Sequence, residues 1–392
     1  MKSRTFFAML VVLLLAACNG TFQVGIEHTP TSTMPLAPSA SDTPLPSSTA
    51  AAPTNPLPAT TVPPAPSNTP VPAATATPYP SNTPVPAGAN SLLGNYIDDR
   101  STPSQVIVSF YNAINRREYL RAYNYWADPA TSLGSFTSWA NGYSDTASVD
   151  LVFGPITGDP GMSQVYYTIP VILKVTANNN THANYVACYI VHETNPSVYG
   201  APPISPMSID RGQAQASDIN ASDASVLATA CNGYPAGGNP PFSASNNSLN
   251  IDKSNFVDNR SGPIETVSSL LNALNLKQYV RAYSYFQNAA TFPGAYDPWA
   301  AGYSDTDVIT AIFGTVQSEG AAGNLYFKVP LAMKVLTTSG SSQTFVGCYT
   351  LHIAQPANQA TPPFQPMGIL SGTFNQVGNG SDVNTLLPTA CN

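Results

Sequence analysis

The sequence is short of charged residues. Only 9% of its 392 residues are Asp, Glu, Lys or Arg. Its polar character therefore comes from Asn, Ser, Thr and Gln, unlike that of an ordinary cytosolic enzyme. The net charge is −7, and no run of Lys or Arg follows residue 4. Because proteins that bind nucleic acid need such runs to neutralise phosphates, the composition argues against nucleic acid as a partner. The length is sufficient for two domains.

The apolar run at 6–17 is too short to span a bilayer as a mature helix. It follows two basic residues and ends in Leu15-Ala16-Ala17-Cys18, an order typical of a secretory signal. This segment resembles a bacterial lipoprotein signal peptide. The resemblance implies that residues 1–17 are removed and that Cys18 is lipidated. The protein would then be anchored through lipid on the extracytoplasmic face of the membrane, in the bacterial cell envelope. The alternative is an ordinary signal peptide with a chance cysteine.

Folded structure is not expected in residues 18–89. Pro, Thr and Ser dominate most of this stretch, and Asp42 is the one charged residue between 29 and 90. Such a composition cannot bury enough apolar surface to fold. After the lipidated cysteine, we predict a disordered stalk of coil and polyproline II that lifts the following domains away from the membrane.

The rest of the chain contains two copies of one sequence. Residues 90–232 align with 250–392 at a constant offset of 160 residues, and the linker 233–249 joins them. WANGYSDT at 139–146 returns as WAAGYSDT at 299–306. A period this long indicates a tandem duplication of one domain, which we call the first and second repeats.

The cysteines of the two repeats fall into pairs of identical spacing. Cys188 and Cys231 lie in the first repeat, Cys348 and Cys391 lie in the second, and each pair is 43 residues apart. A metal site would need His or Cys at short spacing, which neither pair offers, so we expect no metal and no cofactor. In an oxidising compartment, we predict one disulfide per repeat.

Each repeat begins with helical patterns. Thr102-Pro103 supplies an N-cap and a first-position proline, and apolar residues follow at helical spacing as far as Asn115. Gly262-Pro263 begins the equivalent helix of the second repeat. There Asp297-Pro298 predicts another helix start, and Gly302 is predicted to be its left-handed C-terminal cap.

Strand patterns follow the helices. We predict strands at 149–153, 164–175 and 184–193, with a final extended piece near 203–209, and equivalent strands in the second repeat. Pro170 and Pro330 lie inside the second of these strands, which favours an edge strand or a bulge. Helices followed by an antiparallel sheet indicate an α+β fold.

The segments SFYNAINRREYLRAYNYW at 109–126 and FTSWANGYSDTASVDLVFG at 136–154 resemble the nuclear transport factor 2-like, or SnoaL-like, family. The resemblance covers both repeats. It implies two tandem cone-like domains, each with N-terminal helices packed on a curved antiparallel sheet around a cavity. Because this family includes enzymes, binders and spacers, the resemblance leaves the activity open.

Carboxylates and histidines supply the catalytic candidates. Asp145 and Asp305 lie in a predicted turn, and in enzymes that this fold resembles a cavity carboxylate acts as a base. The alternative is a turn aspartate that bonds its own backbone. His192 and His352 are predicted on a strand, either as bases or as structural residues. Ser144 is not a credible nucleophile, because the final glycine of a nucleophile elbow is missing and the elements around it are in reverse order.

A charged segment precedes the first helix of each repeat. It is Asp98-Asp99-Arg100-Ser101 in the first repeat and Asp258-Asn259-Arg260-Ser261 in the second. We expect Arg100 and Arg260 to pair with a nearby carboxylate or carbonyl group.

Aromatic residues supply the binding candidates. They are Tyr123, Trp139 and Tyr143 in the first repeat and Tyr283, Trp299 and Tyr303 in the second. At a cavity mouth they would stack on a sugar or another flat apolar ligand, with no need for charge. The alternative is that these rings pack into the core.

The sequence thus favours a surface-anchored lipoprotein whose two repeats are non-catalytic binding or spacer domains. Its expected partners are the membrane and either a cell-wall glycan, a small apolar ligand or an envelope protein. One alternative is a SnoaL-like enzyme with an aspartate base in each cavity. The other is a purely structural spacer.

Overall fold

The computed structural model describes residues 92–234 and 251–392. The predicted signal peptide, Cys18, the stalk and most of the linker lie outside the described residues. The described part confirms the α+β prediction, since it contains two antiparallel sheets with short helices before each. No helix in these two ranges is both long and apolar enough to cross a membrane.

The first repeat contains five helices and five strands among its described residues. The helices are α1 Pro103–Asn115, α2 Tyr119–Tyr123, α3 Pro129–Leu133, α4 Phe136–Asn141 and α5 Asp223–Leu227. The strands are β1 Thr146–Phe153, β2 Thr157–Gly161, β3 Gln164–Ala177, β4 His182–Thr194 and β5 Ser208–Ser217.

The second repeat follows the same order, with a turn in place of α3. Its helices are α6 Pro263–Asn275, α7 Tyr279–Tyr283, α8 Tyr296–Ala301 and α9 Val383–Leu386. Its strands are β6 Thr306–Phe313, β7 Gln317–Ala321, β8 Asn324–Thr337, β9 Ser342–Ala354 and β10 Gly368–Val377. In each repeat one turn of 3-10 helix follows the fourth strand, at Pro196–Val198 and Pro356–Asn358.

The first helix of each repeat has the predicted boundaries. The Thr102 side chain accepts a hydrogen bond from the Gln105 amide, and Pro103 occupies the first turn, where an amide N–H would have no helical partner. At the other end, the Asn115 side chain donates to Val149 O (3.0 Å) and accepts from Val149 N (2.8 Å). The last helical residue therefore joins α1 to β1, a role that the sequence pattern did not predict.

The helix before the first strand differs from its prediction. In the second repeat, α8 begins at Tyr296 with Ala295 as its N-cap, so Asp297 lies inside the first turn and does not cap it. Gly302 has a φ of −63°, which is right-handed, so the prediction of a left-handed cap is wrong. The tight turn into β6 is instead closed by a hydrogen bond from the Thr306 amide to Tyr303 O.

Each sheet has the strand order first, third, fourth, fifth, and the short second strand pairs with the third beyond the end of the first. The prediction of an edge or a bulge at Pro170 is wrong, because β3 is central and its register with β4 is continuous there. Pro170 O accepts from the Gly154 amide (2.9 Å), on the side where β3 passes from β1 to β2. Because proline has no N–H, β3 lacks a hydrogen-bond donor at this position, and the position falls in the gap between β1 and β2. Pro330 and Gly314 repeat this arrangement.

The core of each repeat lies between its first helix and one face of its sheet. In the first repeat the Phe110 ring contacts Trp126 at 6.3 Å and Tyr189 of β4 at 6.4 Å between centroids. Val267, Leu270 and Leu274 of α6 occupy the same face in the second repeat. The apolar helical periodicity thus corresponds to the buried face, as predicted.

The two predicted disulfides are confirmed, Cys188–Cys231 and Cys348–Cys391. Since Tyr189 faces α1, its neighbour Cys188 faces the opposite side of the sheet. The disulfide therefore holds the C-terminal tail of the repeat against this outer face, where Lys174 and Asp223 form a salt bridge of 3.0 Å.

Candidate functional site

The two aspartate candidates lie at the surface. Asp145 and Asp305 are exposed in the turn before β1 and β6. Their main-chain carbonyl groups accept hydrogen bonds from the amides of Asn178 (2.9 Å) and Thr338 (2.8 Å). Both residues therefore close a loop of their own repeat at an exposed position.

The two histidine candidates are half-buried beside amide side chains. The Nε2 atom of His192 lies 3.1 Å from Oε1 of Gln164, and the ring stacks on Tyr166 with centroids 4.5 Å apart. The ring of His352 has an amide oxygen near each nitrogen, from Gln287 at 2.9 Å and from Asn324 at 2.8 Å. Burial lowers the pKa of both histidines.

The six aromatic candidates pack on one another and on the cores. Tyr123 and Trp139 are buried in the first repeat, with ring centroids 5.4 Å apart, and Tyr143 lies 5.1 Å from Trp139. In the second repeat Trp299 contacts Tyr283 at 5.2 Å and Tyr303 at 5.3 Å. These contacts support the alternative in which the rings belong to the core.

The charged segments before α1 and α6 join the two repeats through reciprocal hydrogen bonds. The Arg100 amide donates to Asp258 O (2.7 Å), and the Arg260 amide donates to Asp98 O (2.6 Å). The Asp98 amide donates to Ser261 Oγ, while the Asp258 amide donates to Ser101 Oγ, each over 2.9 Å. Equivalent atoms thus make equivalent contacts, which is the pattern of a two-fold axis. In both repeats Asp98 and Asp258 are buried.

A residue with a raised pKa lies at the centre of this contact. Asp99 pairs with Asn259 across the pseudo-two-fold axis, and the side-chain Nδ2 of Asn259 donates to Asp99 Oδ2 (3.2 Å). Burial raises the pKa of Asp99 to about 6, although hydrogen bonds from Ser101 oppose this.

Arg100 and Arg260 support this junction from either side. The guanidinium of Arg100 lies 4.4 Å from the centroid of the Tyr125 ring and donates to Met207 O (2.6 Å). Arg260 lies 4.5 Å from the Tyr285 ring and donates to Met367 O (3.2 Å). Both arginines pair with carbonyl groups, which is one of the two predicted partners.

A second pair of equivalent arginines, Arg121 and Arg281, is almost completely buried. Arg121 forms an ion pair of 2.6 Å with Glu118, which is also buried. The position equivalent to Glu118 is Gln278, whose oxygen accepts from Nε of Arg281 over 2.6 Å. Within the described residues, the second repeat therefore buries a guanidinium that forms no direct ion pair, and the Tyr285 hydroxyl lies between it and Asp258.

Between the repeats lies a cavity of about 190 Å³, lined by both of them. Its apolar wall consists of Pro196, Ile204, Pro206, Phe256, Phe364 and Pro366. Its charged wall contains the four arginines together with Asp98, Glu193 and Asp258. Apolar walls with a few converging polar groups are typical of small-molecule sites.

Glu193 is the most perturbed carboxyl group of the cavity. Its side chain is 5% exposed, and its one hydrogen bond within the described ranges is from the Tyr167 hydroxyl to Oε2 (3.4 Å). The pKa of Glu193 is raised to about 7, mainly by burial and also by the charge of Asp258, against the opposing effects of Arg281 and the Tyr167 hydrogen bond. A buried carboxyl group that titrates near neutrality is a common feature of functional sites.

Sequence reasoning did not find this cavity. The charged segments at Asp98 and Asp258 are visible in the sequence, but Glu193 gives no local signal, because it follows His192 and precedes Thr194 near the end of a strand, where polar residues are ordinary. The one available signal was the replacement of Glu193 by Ile353 between repeats that otherwise share their buried pattern.

Residues 92–234 and 251–392 contain no group of three or more His, Cys, Asp or Glu side chains arranged to hold a metal ion. Comparisons with protein-family models, curated proteins and solved structures find no match to this chain.

Proposed function

We propose that this protein is a bacterial envelope lipoprotein whose two nuclear transport factor 2-like repeats act together as one non-catalytic binding module. The ligand site is the cavity between the repeats. The lipoprotein part of the proposal is supported by the apolar run that ends in Cys18. The cone-like fold is supported by the order of helices and strands in each repeat.

The observation that carries the proposal is the presence of Glu193 and Asp258, one from each repeat, in a single cavity. Burying a carboxyl group without a full set of donors costs free energy, and burying two of them near each other costs more. A site that binds a ligand retains such groups because the ligand supplies the missing donors. We therefore place the ligand site in this cavity and not at the aromatic residues predicted to line a cavity mouth in each repeat.

Binding is favoured over catalysis by the positions of the predicted bases. Asp145 and Asp305 are exposed, and His192 and His352 lie against amide side chains on their own sheets. A general base must reach a bound substrate within hydrogen-bond distance, and exposed turn residues offer no enclosed place for one.

The site can be tested by filling it. Ile204 is half-buried in the apolar wall, so Ile204→Trp should occupy the cavity, whereas Ile219→Trp changes an exposed residue that is not part of its lining. We would screen a library of small polar fragments against the full-length chain in detergent by ligand-detected NMR. Fragments that bind the parent chain and Ile219→Trp but not Ile204→Trp support the proposal. Fragments that bind all three equally would place the site elsewhere, and no binding at all would reject a binding function.

A spacer function is the second candidate, and one observation favours it. The rings of Tyr123 and Trp139 pack into the interior of the first repeat, and the repeats are joined directly to each other. A rigid pair of repeats would keep two neighbouring envelope components at a fixed distance from each other. The absence of bound fragments in the screen above would favour this function.

A further inference from the structure

We propose that the ligand of the cavity between the repeats carries an ammonium group, which Glu193 and Asp258 bind from opposite repeats. This inference rests on the binding function proposed above and adds the chemical class of the ligand. Its basis is the balance of donors and acceptors around the cavity.

The donors of the cavity already have partners. The two terminal nitrogens of Arg100 donate to Met207 O and Asn124 O, and those of Arg260 donate to Met367 O and Ser284 O. The terminal nitrogens of Arg121 and Arg281 are bonded in the same way to carbonyl or side-chain oxygens of their own repeats. Each of these eight nitrogens therefore makes at least one hydrogen bond.

The acceptors, by contrast, are incompletely used. Asp98 receives hydroxyl groups on both oxygens, from Tyr125 (2.6 Å) and Tyr96 (3.2 Å). Asp258 receives only Tyr285 on Oδ1 (2.8 Å), because Phe256 replaces the second tyrosine. Its Oδ2 accepts no hydrogen bond from any described residue, although the side chain is 8% exposed and lines the cavity.

Glu193 presents a second such oxygen. Its Oε1 has no hydrogen bond in the described part of the chain, and Arg281, whose charge lowers the pKa of Glu193, forms no ion pair with it there. Both unbonded oxygens belong to side chains that line the cavity. Neither is among the solvent-inaccessible polar atoms without a partner in the described chain, so both can be reached from the cavity. A ligand that fits must therefore bring hydrogen-bond donors, and a positive charge matches the two carboxylates.

The charged groups around Glu193 set the pH dependence of this binding. The groups that face it are Tyr167, Asp258 and Arg281, and the same cavity contains Asp98, Arg100, Arg121 and Arg260. With a pKa of about 7, Glu193 is mostly protonated at pH 6 and mostly ionised at pH 8. Because only the ionised form pairs with an ammonium group, the apparent affinity should be about tenfold higher at pH 8 than at pH 6.

Three compounds that share a cyclopentyl ring but differ in charge test the inference. They are cyclopentylammonium, cyclopentanol and cyclopentanecarboxylate, whose rings suit the wall formed by Phe256, Phe364 and the prolines. We would measure their binding to the full-length chain in detergent by calorimetry at pH 6 and pH 8. We expect cyclopentylammonium to bind at least tenfold more tightly than cyclopentanol, cyclopentanecarboxylate not to bind, and the pH dependence to follow the direction given above.

Variants separate this inference from the proposed function. Glu193→Gln keeps the shape of the side chain and should weaken cyclopentylammonium at least tenfold and remove its pH dependence, whereas Glu319→Gln, an exposed control in β7, should change neither. Preferred binding of cyclopentanecarboxylate, blocked by Ile204→Trp, would overturn the ammonium ligand but keep the cavity as the site. Equal affinity at the two pH values would also overturn it. If none of the three compounds binds, but other fragments bind the parent chain and not Ile204→Trp, the ligand class is wrong. If nothing binds, both proposals fail.

Discussion

Glu193 and Ile353 occupy equivalent positions in the two repeats, but only Glu193 places a carboxyl group in the cavity between them. A second difference of the same kind is that Glu118 of the first repeat is replaced by Gln278 in the second. The charge of Arg281 acts across the cavity to lower the pKa of Glu193, but the two side chains form no ion pair within the described residues. Both additional carboxylates therefore belong to the first repeat, and only Glu193 lines the cavity between the repeats.

The first prediction concerns the pH dependence of stability. Burial raises the pKa of Glu193 from 4.5 to about 7, so the folded state binds its proton more tightly than the unfolded state does. This contribution to the free energy of unfolding is complete below pH 4.5 and is lost as the pH rises to about 7. Glu193→Gln, which cannot ionise, should therefore be more stable than the parent chain at pH 8, by about 3 kcal/mol.

Urea unfolding of both proteins at pH 5 and pH 8 measures this difference, with Glu319→Gln as the control. The parent chain and the Glu319→Gln control should lose stability over this range, and Glu193→Gln should lose much less. Parallel pH profiles for all three proteins would contradict the prediction.

The second prediction concerns the buried ion pair of the first repeat. Glu118→Ala leaves the Arg121 guanidinium, which is 1% exposed, without its carboxylate, and removal of one partner from such a pair costs about 3–5 kcal/mol. Gln278→Ala removes a neutral partner from the equivalent arginine and should cost about 1–3 kcal/mol. Chemical unfolding at pH 7 compares the two variants. An equal cost would mean that the charge of Glu118 does not stabilise Arg121.

The third prediction concerns the disulfides. Each closes a loop of about 44 residues, which corresponds to roughly 4 kcal/mol in the chain-entropy account. Cys348→Ser combined with Cys391→Ser should therefore lower the melting temperature of the chain, and a reducing agent should lower it further through the remaining bridge. Peptide mapping without reduction should recover the 188–231 and 348–391 linkages, and a crossed linkage between the repeats would contradict the structure.

The fourth prediction concerns two equivalent glycines. A Cβ atom at Gly212 or Gly372 would overlap the ring of Tyr189 or Tyr349 on the neighbouring strand. Each glycine-to-alanine change should therefore displace a buried tyrosine and cost about 1–3 kcal/mol. Gly200 has open space around it, so Gly200→Ala is the control and should leave the melting temperature nearly unchanged. Tolerance of alanine at Gly372 would show that Tyr349 can repack freely.

Local signals in the sequence predicted the elements that depend on local chemistry. Thr102 and Pro103 begin α1 and Asn115 ends it, because capping and helical periodicity act within a few residues. The disulfides were predicted because duplication gave two cysteine pairs of equal spacing.

The features that depend on distant partners were not predictable in this way. Pro170 lies in a central strand because β1 ends and β2 begins beside it, which the residues around Pro170 do not encode. The fifth strand begins at Ser208 and continues to Ser217, beyond the predicted 203–209, because backbone pairing with β4 continues through residues that are mostly polar or small and lack a strand pattern. The cavity depends on the association of segments 160 residues apart, and no single-repeat pattern predicts it.

The reciprocal bonds between Asp98-Ser101 and Asp258-Ser261 have a consequence for how such a pair can diversify. Both segments share the Asp, Arg and Ser that make these bonds, as in a two-fold homodimer, but Asp99 faces Asn259 at the axis, where two identical copies would place two carboxylates or two amides together. In such a homodimer every substitution would appear twice. Covalent linkage keeps the partner at high effective concentration and lets the two halves differ. Glu193 can thus be present in one half while Ile353 occupies the equivalent position in the other. The shared cavity is therefore asymmetric in charge, which the cavity of a symmetric homodimer would not be.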